Sequence, residues 1–179
     1  MIIILGTPGA GKTTQTRLLA EYRHCKWFSM GELIRQHATG QARKDMLAGK
    51  IIDDQTTMQI LEKALSAINV PADGCVFEGN PRSIPQARWW LKQVKDGKFQ
   101  IRAVVHLVAD PKIAAERMSQ RGRLDDHDDN VVEERFAEYN RTITPILNYL
   151  KEHGVKVHEI DANGTIEEVS KRIHQDLGI

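Results

Sequence analysis

Residues 2–20 read IIILGTPGAGKTTQTRLLA. Four apolar residues run straight into a glycine-rich stretch, and a helical pattern follows. Gly6 to Thr13 spell G-T-P-G-A-G-K-T, a full match to G-x-x-x-x-G-K-[ST]. The physics behind the pattern is direct. Glycines at 6, 9 and 11 permit backbone angles closed to other residues. Successive N–H groups can then turn inward as an anion nest, and the helix beginning near Lys12 adds the positive end of its dipole. Lys12 supplies a mobile cation for β- and γ-phosphates. Thr13 offers a hydroxyl where magnesium is usually met. Strand before and helix after is the context the motif needs. The stretch therefore predicts binding of a nucleoside triphosphate with Mg²⁺, with Gly9, Ala10, Gly11, Lys12, Thr13 and Thr14 around the phosphates.

Outward from this loop, strand-like apolar runs recur at 1–5, 26–28, 75–77, 101–108 and 155–160, with helical patterns between them. Alternating strands and helices imply βαβ units and a parallel sheet. The runs lack polar alternation, as strands covered on both faces should. Three helical stretches crowd between Met30 and Ile68 without a strand, which marks a small helical excursion. Gln120 to Asn130, QRGRLDDHDDN, holds one apolar residue, Leu124, and reads as a surface loop. Its DDHDD run reads either as a metal cluster or, as charged runs usually do, as a solvated face or helix start.

The chain has 179 residues, enough for one domain with a sizeable core. Its 25 Lys+Arg against 24 Asp+Glu leave no basic footprint, which argues against general nucleic-acid binding. The basic stretch ATGQARKDMLAGK is too weak by itself to suggest RNA. No apolar run is long enough to span a membrane, and the amino terminus does not read as a signal peptide. Cys25 and Cys75 read as buried free thiols of a reducing compartment, so a cytoplasmic protein is expected. An N-K-x-D guanine motif is absent, which disfavours a GTPase.

Several segments now combine. GTPGAGKTTQ, then FSMGELIRQ, then EGNPRSIPQA resemble the adenylate kinase family of nucleoside monophosphate kinases in order and spacing. RGRLDD, RFAEYNRTITPILNYL and DANGT extend the likeness over nearly the whole chain. The resemblance implies an α/β, three-layer P-loop NTPase fold with a five-stranded parallel sheet. It implies one domain, 1–179, containing a helical monophosphate-binding subdomain at 30–59 and a short lid at 121–131 that lacks zinc cysteines. The implied reaction is reversible transfer of the γ-phosphoryl group from a nucleoside triphosphate, ATP, to a nucleoside monophosphate, AMP. Alternatives are a CMP, UMP or dTMP acceptor, GTP as donor, or a kinase-like nucleotide sensor or assembly protein with little turnover. Small-molecule nucleotides are the expected partners, and a monomer is the family's default.

Two polyanions meeting head to head need arginines from several directions, because guanidinium forks grip phosphate bidentately. By resemblance, Arg35 and Arg82 hold the monophosphate's phosphate; the lesser alternative for Arg35 is a solvated helix face. Arg117, Arg121, Arg123 and Arg135 flank the charged loop and are implied to line the triphosphate. With Lys12 and Arg82 they form the expected catalytic set. Asp125 and Asp126 match an acidic pair that latches the closed lid. Gln86 matches the glutamine that reads the adenine edge, since an amide both donates and accepts. Met30, Met46, Lys50, Ile52, Thr57 and Gly79 are implied to wall the acceptor base and ribose, although Met46 and Lys50 also read as ordinary packing and a loop lysine. Glu78, at the carboxyl end of a parallel strand, can hold a magnesium-bound water or act as a capping carboxylate. The donor base is implied to be read through backbone near Gly164–Ile166.

Some positions depart from the family pattern. Thr13 stands at a usual glycine and Glu78 at a usual aspartate. Asn80 stands at a usual aromatic and Met30 at a usual threonine. Thr57 replaces a common aliphatic residue, a likeness to pyrimidine monophosphate kinases. One residue is inserted between Asp126 and Arg135.

Overall fold

The computed structural model describes residues 1–48, 50, 52–67, 74–120 and 129–179, with side chains from 132 in the last segment. Five strands, β1 (Ile2–Gly6), β2 (Lys26–Ser29), β3 (Cys75–Glu78), β4 (Ala103–Val108) and β5 (Val157–Asp161), form one sheet. Every neighbouring pair is parallel, and the order is β2-β3-β1-β4-β5. The helices are α1 (Lys12–Tyr22), α2 (Met30–His37), α3 (Gly40–Leu47), α4 (Asp54–Ala67), α5 (Ile84–Lys95), α6 (Pro111–Gln120), α7 (Asp129–Glu152) and α8 (Ile166–Leu177). This is the expected α/β architecture.

The opening run explains the layers. Side chains alternate across a strand. Ile3 and Leu5 enter a core with Phe77, Trp90, Val104, Ile146 and Leu150, under α4, α5 and α7. Ile2 and Ile4 enter the opposite core with Leu19, Val105, Ala114, Val169 and Ile173, under α1, α6 and α8. A strand buried on both faces has no use for polar alternation, and all five residues of β1 are buried. The edge strand β5 differs: only Ile160 is fully buried, and Glu159 and Asp161 face solvent.

Strand ends shift by one or two residues from the sequence expectation. Val155 closes the end of α7 by donating its N–H to Leu150 O (3.0 Å), so β5 starts later. Ile101 and Arg102 precede β4, although Arg102 N already reaches Met1 O at 2.9 Å. The carboxyl ends of β1, β3 and β4 all open on one edge. Because the order reverses at β1, a crevice forms there.

Candidate active site

The glycine loop leaves β1 at this crevice. Thr7 N donates to Leu107 O (3.0 Å), tying the loop to β4, and Ala10 N donates back to Thr7 O (3.0 Å). Gly9 has φ 80°, and a Cβ built there would lie 2.3 Å from the carbonyl oxygen of Ala114. Only glycine fits on both counts. Gly11, the N-cap of α1, has φ 82° but open space around its would-be Cβ. Lys12 folds over the loop, donating from Nζ to Gly6 O and Thr7 O, both at 2.9 Å.

Around this loop lies a cleft of about 810 Å³. Gly9–Thr14 border it, as do Glu78, Arg35, Arg82, Arg117, Arg135 and Ile166. Arg117, on α6, donates from Nη1 to Ala162 O (2.7 Å) and from Nη2 to Gly164 O (2.8 Å). The loop it braces runs into α8 through a capping box. Thr165 accepts from Glu168 N, and the Glu168 carboxylate accepts from Thr165 N at 2.8 Å. Gln15 donates to Ile166 O at 2.9 Å, so α1 also fixes this wall.

Two departures from the family pattern face each other. Thr13 Oγ1 donates to Glu78 Oε1 at 3.1 Å, and Ser29 Oγ donates to the same oxygen. Ser29 also caps α2 by accepting from Glu32 N (3.3 Å), so the carboxylate is tied to the start of that helix. Glu78 is buried. A buried carboxylate beside a hydroxyl at a phosphate loop is a hard oxygen set. It suits Mg²⁺, which takes oxygen ligands and keeps several waters.

A second, narrow slot of about 50 Å³ lies under α2. Met30, Met46, Lys50, Ile52, Thr57 and Gln86 line it, together with Asn80. Gly79 lies beside the junction, its would-be Cβ 3.6 Å from the Arg82 guanidinium. Arg35, Arg82 and Arg135 border both the slot and the large cleft. Arg82 Nε donates to Gly79 O (2.9 Å), which aims the guanidinium back toward the crevice. The Asn80–Pro81 peptide is cis. Arg121, Arg123, Asp125 and Asp126 lie outside the described residues. So does the expected lid, except for 129–131, which open α7.

Comparison with known proteins now decides the family. The family model described as Adenylate kinase matches residues 4–155. An adenylate kinase of Rhodococcus erythropolis is 36% identical over 183 residues, covering 99% of this chain and 98% of that protein. Adenylate kinases of Synechococcus sp. (strain CC9902) and Flavobacterium psychrophilum are 32% and 30% identical. They cover 96% and 97% of this chain, and 95% and 96% of their own lengths. The chain belongs to the adenylate kinase family.

Within this adenylate kinase framework, the structure adds residues that sequence reading missed. His106, buried on β4, is bonded through Nε2 to the Tyr139 hydroxyl (2.5 Å) and through Nδ1 to Glu159 (3.3 Å). The Thr7 side chain of the phosphate loop lies near the Tyr139 hydroxyl and acts on its electrostatics. Burial, with the Lys12 charge opposing protonation as well, holds His106 below its usual pKa despite Glu159. Burial pushes the Tyr139 phenol up to about 12. A neutral imidazole that donates to Glu159 and accepts from Tyr139 satisfies the line of groups. Asp54 was missed as well: its Oδ1 accepts from Ser83 Oγ (2.6 Å) and Gln86 Nε2 (2.8 Å), joining α4 to α5. An aspartate in the first turn of a helix, here next to Asp53, gives no signal of this. Trp90 is wholly buried and Trp89 half-buried, as adjacent helical positions at a core edge should be.

Proposed function

We propose that the chain reversibly transfers the γ-phosphoryl group of ATP to AMP, forming two ADP. The carrying observation is that Arg35, Arg82 and Arg135 border both the phosphate-loop cleft and the slot under α2. Two sites joined through shared guanidinium groups fit a transfer between two nucleotides better than storage of one. The relatives carry the name adenylate kinase, which supports AMP over a pyrimidine acceptor.

In this reading Gly9–Thr14 cradle the donor phosphates, and the loop around Gly164–Ile166 flanks the donor base. Lys12 leaves its two loop carbonyls for the β- and γ-phosphates. Thr13 and Glu78 would hold Mg²⁺, Glu78 through water; the ion would supply charge neutralisation at the phosphates. Arg35 and Arg82 grip the acceptor phosphate, while Arg117 and Arg135 serve the donor side, joined by Arg121 and Arg123 when the 121–131 segment closes under its Asp125–Asp126 latch. Met30, Met46, Lys50, Ile52, Thr57, Gly79 and Gln86 surround the acceptor. No strong base is needed. Alignment and charge stabilisation serve a loose phosphoryl-transfer transition state, and closure keeps water from taking the phosphoryl group.

Among the described residues no helix is long and apolar enough to cross a membrane, and Cys25 and Cys75 are free thiols. The free thiols accord with a reducing compartment such as the cytoplasm, and a monomer is the family's default. A coupled assay over AMP, CMP, UMP and dTMP, with ATP or GTP as donor, tests the proposal. Turnover confined to AMP with ATP is expected. Nucleotide binding without turnover would replace the enzyme by a sensor.

A further inference from the structure

Gln86 lines the slot yet is only 1% exposed, because its carboxamide is held from three sides. Each holding group has a hydrogen-bonding sense without alternative. The Trp90 indole N–H can only donate, so Asn80 must turn its Oδ1 toward it, at 2.7 Å. Asn80 Nδ2 then faces Gln86 and donates to Oε1 at 2.6 Å. The backbone N–H of Arg82, also only a donor, reaches the same Oε1 at 2.8 Å. On the other side Nε2 donates to the Asp54 carboxylate at 2.8 Å. A flipped amide would set N–H against two donors and oxygen against a carboxylate. The orientation therefore follows from chemistry, not from how the two amide atoms are labelled.

Consider what such an amide can still offer. A carbonyl oxygen has two lone pairs, and here Asn80 and Arg82 occupy both. Among the described residues only one Nε2 proton is committed, to Asp54, which leaves one N–H. A glutamine free to turn could donate to a ring nitrogen of adenine and accept from its amino group. This one can make only the first of those bonds.

We infer that Asn80 is a specificity-determining positioning residue, which makes Gln86 a pure hydrogen-bond donor toward the acceptor base and so blind to that base's exocyclic amino group. The inference rests on the acceptor base lying in this slot. It attaches to a position where this chain departs from the family's aromatic residue, since a hydrocarbon ring has no N–H or O–H to give Oε1 and no lone pair for the Trp90 N–H.

The test compares AMP with purine riboside 5′-monophosphate, which keeps the ring nitrogens and lacks the amino group. kcat/KM is measured for both in the unaltered protein, Gln86→Leu, Asn80→Leu and the double variant. Each ratio is taken within one preparation, so the fraction of active protein cancels. Gln86→Leu is expected to lower both substrates by the same factor, within about 2-fold. Asn80→Leu frees one lone pair, and preference for AMP should rise by about 5-fold, the scale of one added hydrogen bond. The double variant should lose that gain. Asn80→Ser, too short to reach Oε1, should shift the ratio the same way and serves if the leucine variant does not fold. A loss in Gln86→Leu about 10-fold larger for AMP would overturn the inference, as would an unchanged ratio in both Asn80 variants. Failure of the unaltered protein to turn over either purine, with a pyrimidine accepted, would instead overturn the acceptor reading and the inference with it.

Discussion

The phosphate-loop cleft and the slot under α2, which we read as the donor and acceptor sides, are built in opposite ways. The phosphate cradle on the donor side is one continuous segment, Gly6–Thr14, whose backbone makes it, with Glu78, Arg117, Arg135 and the loop at 164–166 around it. The acceptor side is assembled from β3, α2, α4 and α5, with Asn80, Gln86, Trp90 and Asp54 interlocked through side chains. Backbone geometry can be written into a short motif because glycine positions dictate it. A side-chain lattice cannot, since each member depends on partners 10 or 32 residues away. The donor side should therefore break through backbone changes, and the acceptor side through loss of single hydrogen bonds.

The largest effects are expected where the two sides meet. Lys12→Ala and Arg82→Ala should each lower kcat/KM by at least ~100-fold, the scale of a lost transition-state contact. Steady-state kinetics with both substrates varied checks this, and near-normal rates in either variant would remove the assigned roles. Next comes Gly9→Ala. A left-handed φ and a 2.3 Å approach to a backbone carbonyl leave no cheap accommodation. A cost of roughly 1–3 kcal/mol is expected, read as a drop of several degrees in Tm. Gly11→Ala, with open space around it, should fall less; equal drops would mean that strain in φ, and not the Ala114 carbonyl, sets the cost.

Asp54→Ala sharpens the contrast from the acceptor side. Losing the partner of Gln86 and Ser83 should raise KM for AMP by about 10-fold, as for one hydrogen bond to a charged group. KM for ATP should stay put. A matching rise in both would show that the lattice supports the fold as a whole.

The smallest effect concerns pH. His106 is held below its ordinary value by burial, so between its folded pKa and about 6.5 the unfolded chain binds the extra proton. Its contribution is complete above about 6.5 and is lost as pH falls through the folded pKa. Urea midpoints at pH 8 and 5.5 should differ less in His106→Gln than in the unaltered protein. Equal slopes would show that the histidine carries none of the pH dependence.

The sequence determined the phosphate loop, the five parallel strands and the family. A motif of eight contiguous residues dictates its own backbone, and an apolar run of four or five residues cannot be satisfied except inside a covered sheet. It also named the arginines, although nothing local distinguishes Arg35 from a solvated helix residue. Only the tertiary structure set Arg35, Arg82 and Arg135 at a common border of two cavities, joined Thr13 to Glu78, and linked Glu159 through His106 to Tyr139. The sense of Gln86 was likewise decided by Trp90 and Asp54, which no spacing rule connects. Hydrogen-bond direction depends on which donors and acceptors meet across the fold, and a linear order of residues does not contain that meeting.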